Sequence, residues 1–154
     1  MLARALSILL TFTICTNASA CQYIVQTSLA FGAGTSDLDK AQIVKLAAWI
    51  DGATSQYPKF DYASVEAGAS LRTPDEPLRG AEKRAKQRAE SAARALKALF
   101  PTDIQVRTIS HPYREQMAYG SSNDFAVVQL YPDQKAFPLP DCNPVPTPGF
   151  QPGR

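Results

Sequence analysis

Histidine and cysteine, which are the side chains most often used in metal sites and nucleophilic catalysis, are few in this sequence. His111 is the only histidine, so a zinc site with several histidine or cysteine ligands cannot be assembled. No Gly-x-Ser-x-Gly turn occurs that would support a Ser-His-Asp triad. Asp75 and Glu76 are adjacent carboxylates, but they precede a predicted helix, where acidic side chains stabilise the N-terminus. We therefore expect no catalytic residue, no metal, no cofactor and no enzymatic activity.

A basic segment is the second chemical feature. Residues 79–97 carry seven Lys or Arg against two Glu, a pattern typical of the solvated face of an amphipathic helix. The same cluster would also steer an acidic partner towards the protein, and the sequence leaves both interpretations open. The whole chain has a net charge of only +2, which argues against nucleic-acid binding. The predicted docking face consists of Arg79, Lys83, Lys86 and Arg94.

The first twenty residues have the three parts of a secretory signal peptide. Arg4 supplies a positive charge, an apolar run extends from Ala5 to Cys15, and the segment ends in Ala18-Ser19-Ala20. The run is shorter than the roughly 20 apolar residues that span a bilayer. We expect cleavage after Ala20 and export to the periplasm or outer membrane of a bacterium.

Two cysteines, Cys21 and Cys142, remain after the predicted cleavage. Export places them where disulfides persist, so they are candidates for a bond that ties the C-terminal tail to the first strand. A cysteine directly after the cleavage point also resembles the start of a bacterial lipoprotein. If Cys21 is lipidated, we expect that lipid anchor to be the only contact of the protein with the membrane. Both chemistries use the same sulfur of Cys21, and the sequence does not choose between them.

The elements that must position these residues alternate between strands and helices. β-rich runs predict strands at 22–31, 60–70, 104–110 and 123–131. Ser36 and Asp39 resemble a capping box that opens the first helix, which Gly52 and Pro58 close. The second helix has an apolar stripe at steps of three and four residues, formed by Leu78, Ala81, Ala85, Ala89, Ala92, Leu96 and Leu99.

The order β-α-β-α-β-β predicts an α/β two-layer sandwich, with two helices on one face of a four-stranded mixed sheet. Two strand–helix–strand crossovers imply parallel pairing, and the last two strands are expected to pair antiparallel. We divide the chain into a signal peptide at 1–20, one domain at 21–132 and a proline-rich tail at 133–154.

Several short segments resemble the OmpA-like family, the peptidoglycan-associated domain found at the C-terminus of outer membrane protein A. The first helix contains Leu-Ala-Ala-Trp-Ile at 46–50, and the second strand contains Val-Glu-Ala-Gly at 65–68. An Arg88-Ala89 pair occurs in the second helix, and the last strand is entered through Asn123. The resemblance spans roughly residues 25–132 and implies the same sandwich fold.

The resemblance also implies a ligand site. The family holds the diaminopimelate group of peptidoglycan with an Asp after the second strand and an Arg in the second helix. Arg88 matches the arginine, whereas Ser70 stands where the aspartate is expected and Asp75 is the candidate substitute. Asp124, followed by a phenylalanine, replaces the family's paired arginines after Asn123. The implied ligand-binding residues are Arg88, Asp75, Ser70 and Asn123.

Two functions follow as hypotheses. The favoured one is a non-enzymatic exported envelope protein that binds a protein partner, as an assembly factor, an inhibitor or an immunity protein. The alternative is a peptidoglycan-binding domain that anchors to the cell wall through Arg88 and Asp75.

Overall fold

The computed structural model describes residues 23–32, 34–114 and 124–136. The predicted signal peptide, Cys21, Cys142, Asn123 and the proline-rich tail beyond residue 136 lie outside the described residues, and so do the lipidation and disulfide hypotheses. Among the described helices, none is long and apolar enough to cross a bilayer.

Six elements follow one another in the predicted order. The strands are β1 (Val25–Ala30), β2 (Phe60–Ser70), β3 (Val106–Tyr113) and β4 (Phe125–Pro132), and the helices are α1 (Lys40–Gln56) and α2 (Leu78–Leu99). The predicted β2 has the observed bounds. The other three strands are shifted by one to three residues at their ends, where backbone pairing rather than side-chain type decides the limit.

The sheet has the order β1-β4-β2-β3. β2 pairs with β3 in parallel, as the second crossover predicts, and β4 pairs antiparallel with both β1 and β2. The predicted pairings of β1 with β2 and of β3 with β4 are wrong, because β4 inserts between β1 and β2. The mixed sheet and the two-layer architecture are confirmed.

The core lies between this sheet and the helices. Alternate residues of β2 and β4 point into it, among them Ala63, Val65 and Val128, which are fully buried. On α2 the predicted alanine stripe is buried and ends at Leu96, which has no exposed surface. Small side chains on both β2 and α2 allow the helix to lie close against the sheet.

The two helices differ from prediction at their ends. α1 begins one residue after Asp39, whose side chain accepts a hydrogen bond of 2.8 Å from the Gln42 backbone N–H. Asp39 is therefore the N-cap, and the predicted cap at Ser36 is wrong. α1 also continues through Gly52. α2 has Pro77 at its N-cap and no side-chain cap, since Glu76 has another partner, described below.

Candidate functional site

Arg88 of α2 is the largest fully buried side chain in the described part of the protein. The sequence places it among the charged residues of a solvated helix, and that assignment is wrong. Its Nε donates to the Thr35 carbonyl at 2.8 Å, and its Nη1 donates to the Gly68 carbonyl at 3.0 Å. Its guanidinium carbon lies 5.1 Å from the centre of the Phe31 ring, a favourable cation–π arrangement.

The charge of Arg88 is balanced by Asp124, which lies just before β4. Arg88 Nη1 donates to Asp124 Oδ1, and the two groups form an ion pair. The Asp124 side chain keeps 27% of its surface exposed, whereas that of Arg88 has none. A buried guanidinium is tolerated only with such a partner. The sequence shows Asp124 only as a departure from the family pattern. Its role as the counter-charge of Arg88 is not predicted from the sequence.

Two buried polar atoms beside this pair have no hydrogen-bond partner among the described residues: Arg88 Nη2 and Ser70 Oγ. Native proteins pair nearly all buried polar groups, so these two atoms are exceptions to the rule. Ser70 ends β2, and its backbone N–H approaches Asp124 Oδ1 at 3.5 Å. The two orphaned atoms therefore belong to the same region as the ion pair.

A second ion pair fixes the loop that follows β2. Arg84 Nη1 and Nη2 both donate to Glu76, the latter at 2.8 Å, and Nη2 also donates to the Ser70 carbonyl at 2.7 Å. The Arg72 backbone N–H donates to Glu76 Oε2 at 2.6 Å. The hydrogen bond from Arg84, followed by that from the Arg72 backbone, lowers the pKa of Glu76 to about 2. The predicted helix-capping role of Glu76 is therefore replaced by a cross-link between the loop and α2.

Arg72 reaches across from this loop to the segment before α1. Its Nη2 donates to the Gly34 carbonyl, and Gly34 has a positive φ of 74°. The backbone conformation therefore favours glycine at this position, and a Cβ there would also displace Arg72 Nη2, which it would meet at 2.9 Å. Arg72 itself is exposed.

These side chains surround one open cleft with a volume of about 530 Å³. The lining residues are Gly34, Ser70, Leu71, Arg72, Arg84, Arg88 and Asp124. The residues that line the cleft thus include three arginines and one partly exposed carboxylate, and two of them, Arg88 and Ser70, carry the orphaned polar atoms. Such a surface suits a small ligand with charged ends. In the described residues, no group of three His, Cys, Asp or Glu that could hold a metal ion occurs.

Two of the four predicted ligand-binding residues, Arg88 and Ser70, line this cleft. Asp75 is exposed and is not among the lining residues. Asn123 lies outside the described residues, and the part that these four play in binding stays a prediction.

The predicted docking face is exposed on α2, as the charge pattern indicates. Arg79, Lys83 and Lys86 line one shallow groove together with Glu82. Arg94 lies in a different depression, beside Asp37 and Glu90 among others. The four basic residues therefore divide between two surfaces.

The β-α-β-α-β-β order and the β1-β4-β2-β3 sheet define a fold class that solved structures share: it is the fold of OmpA-like domains. One similar structure is the OmpA-like domain of FopA1 from Francisella tularensis, with a TM-score of 0.54 at 14% identity over 71% of this chain and 73% of that one. The resemblance predicted from the sequence is thus confirmed at the level of the fold.

Two further solved structures are similar to this chain. The cell wall anchor of the T6SS from Pseudomonas aeruginosa has a TM-score of 0.51 at 17% identity, over 71% of this chain and 82% of that chain. The periplasmic domain of Helicobacter pylori MotB has a TM-score of 0.51 at 14% identity, over 71% and 76%. No protein-family model matches the sequence, and no curated protein resembles it in sequence.

Proposed function

We propose that this protein is a non-enzymatic domain of the bacterial cell envelope that binds peptidoglycan through the cleft beside Arg88. The observation that carries the proposal is that two residues lining the cleft, Arg88 and Ser70, each have a buried polar atom without a hydrogen-bond partner, Nη2 and Oγ respectively. The fold supports the same conclusion, because the resemblance implies a peptidoglycan site at Arg88 of the second helix. One protein of similar structure is itself a cell wall anchor.

This proposal reverses the order of the two hypotheses drawn from the sequence. The protein-partner hypothesis rested on the absence of catalytic residues and on the basic face. The exposed groove of Arg79, Lys83 and Lys86 still favours it as a second function, since clustered positive charge attracts acidic partners. The cleft gives the stronger argument, because two of its lining residues have a buried polar atom without a hydrogen-bond partner, whereas the basic groove is solvated.

Ser70 provides a sharp test, because its hydroxyl has no partner to lose. We expect Ser70→Ala to leave the free energy of unfolding within about 0.5 kcal/mol of wild type, since no hydrogen bond is broken. The same change should weaken co-sedimentation with purified cell-wall sacculi by about three- to tenfold, because the ligand loses one hydrogen bond. Free diaminopimelate should compete with the sacculi.

Ser64 on the same strand is the matched control. It is also buried, but its Oγ donates to Gln129 Oε1 at 2.8 Å, and it does not line the cleft. Ser64→Ala should therefore cost about 1 kcal/mol of stability and leave wall binding unchanged. Wild-type protein that stays in the supernatant with sacculi would refute the peptidoglycan proposal and return the protein-partner hypothesis to first place.

The proposal includes export, and the mass of the protein purified from the envelope tests that part. A mass equal to that of a chain starting at Cys21 supports cleavage after Ala20. Addition of a diacylglycerol group would select lipidation of Cys21, and loss of two protons would select the bond to Cys142. A mass that includes residues 1–20 would contradict the predicted cleavage.

A further inference from the structure

The cleft carries its charges in the opposite order to the one that the OmpA-like resemblance implies. In the implied order, the segment after β2 supplies a carboxylate, and the segment entering β4 supplies arginines. In this chain, the segment after β2 supplies Arg72, and the segment entering β4 supplies Asp124. The positive and negative sides of the cleft have exchanged places.

Arg88 is poorly suited to hold a second carboxylate. Its Nη1 already pairs with Asp124, and its Nε and Nη1 donate to two backbone carbonyls. The Arg88 side chain also has no exposed surface, whereas the Asp124 side chain keeps 27% of its surface exposed. Arg84 is committed in the same way to Glu76.

Arg72 is the guanidinium of the cleft that forms no ion pair with any carboxylate in the described part of the chain. Its contact with the Gly34 carbonyl is neutral, and its side chain is exposed. A planar guanidinium held at one nitrogen and open to solvent suits a carboxylate ligand. Asp124 pairs with Arg88, and the part of its carboxylate that stays exposed suits a cation.

We propose that the cleft binds a terminal amino-acid group in reversed orientation, with the ligand carboxylate on Arg72 and the ligand ammonium on Asp124. This inference rests on the proposed function. Arg88 acts as a positioning residue that holds the Asp124 carboxylate at the cleft wall.

Three soluble probes test the orientation by calorimetric titration. The first is a peptidoglycan tripeptide that ends in meso-diaminopimelate, with a free ammonium and carboxylate at the far end of that residue. The second has this carboxylate amidated, and the third has this amine acetylated. Each is titrated into wild-type protein and into the variants Arg72→Gln, Asp124→Asn and, as a control, Lys97→Gln, an exposed residue in the last turn of α2.

For wild type and Lys97→Gln, each chemical modification should weaken binding by about tenfold, since each removes one charge-assisted contact. Arg72→Gln should bind the amidated and unmodified probes equally well, while acetylation still weakens binding. Asp124→Asn should show the converse. Because the ratio of affinities is taken within one variant, a general loss of affinity does not affect the result.

Two outcomes overturn the orientation. One is an Asp124→Asn variant that binds the unmodified probe more tightly while Arg72→Gln still discriminates against amidation; Arg88 would then hold the carboxylate. The other is wild-type binding that is insensitive to both modifications. If no probe binds and wild-type protein does not sediment with sacculi, the proposed function fails and the orientation fails with it.

Discussion

The Arg88–Asp124 pair gives the most demanding prediction about this fold. Replacing Arg88 by alanine deletes a fully buried side chain that donates to the Thr35 and Gly68 carbonyls and to Asp124. Breaking a buried ion pair from one side costs about 3–5 kcal/mol. Asp124 is partly exposed and can recover some hydration, so we expect a loss at the lower end, about 3 kcal/mol.

Asp124→Asn removes the charge but keeps an oxygen that can accept from Arg88. Hydrogen bonds to charged groups contribute about 1.5–3 kcal/mol, and the retained acceptor places the expected loss near 1.5 kcal/mol. The double variant should be less destabilised than the sum of the two, with a coupling free energy of at least about 1 kcal/mol. Denaturant titration followed by circular dichroism measures all three values.

Lys86 is the matched control, because it lies two residues from Arg88 on the same helix and is exposed. Lys86→Ala should change the free energy of unfolding by no more than about 0.5 kcal/mol. A coupling below about 0.5 kcal/mol, or a loss for Arg88→Ala no larger than for Lys86→Ala, would refute the reasoning. Either result would mean that Arg88 faces solvent, as the charge pattern alone suggests.

Three further predictions concern α2 and the loop before it. Leu96→Ala should cost about 2–4 kcal/mol in chemical denaturation, because its fully buried side chain leaves a cavity; a loss below about 1 kcal/mol would contradict the assigned register of the helix. Arg84 holds the folded-state pKa of Glu76 at about 2. The contribution of ionised Glu76 to the stability of the fold should therefore be fully present above the ordinary pKa near 4.5 and lost as pH falls towards 2. Glu76→Gln should therefore flatten the pH dependence of stability in this window, and an unchanged profile would exclude the ion pair. Gly80→Ala should lower the melting temperature despite the better helix propensity of alanine, since the added methyl group would collide with Glu76 Oε1; a higher melting temperature would mean that Glu76 does not lie there.

Periodicity determined much of this protein from the sequence alone. The stripe from Ala81 to Leu96 predicts α2 and its buried face, and the run from Phe60 to Ser70 predicts β2 with its observed bounds. These predictions hold because local side-chain spacing alone decides which face of an element is apolar. The order of the elements and the resemblance to the OmpA-like family both predict the sandwich fold.

The neighbours of each strand were decided only by the tertiary structure. β4 inserts between β1 and β2, although the crossovers suggest that β1 and β2 pair. Spacing along one strand carries no information about its partner, and the hydrogen bonds that select that partner join residues far apart in sequence.

The candidate site likewise has one part that the sequence predicts and another that only the tertiary structure shows. Arg88 could be named from the sequence by its match to the family, and its spacing of four residues from Ala92 places it near the buried stripe. Its burial could not be inferred, because a buried guanidinium needs a counter-charge, and the one it has comes from Asp124, thirty-six residues away. Residue types thus identify the groups able to bind a charged ligand, and only the packing of β4 beside β2 brings Asp124 to Arg88 and sets the polarity of the cleft.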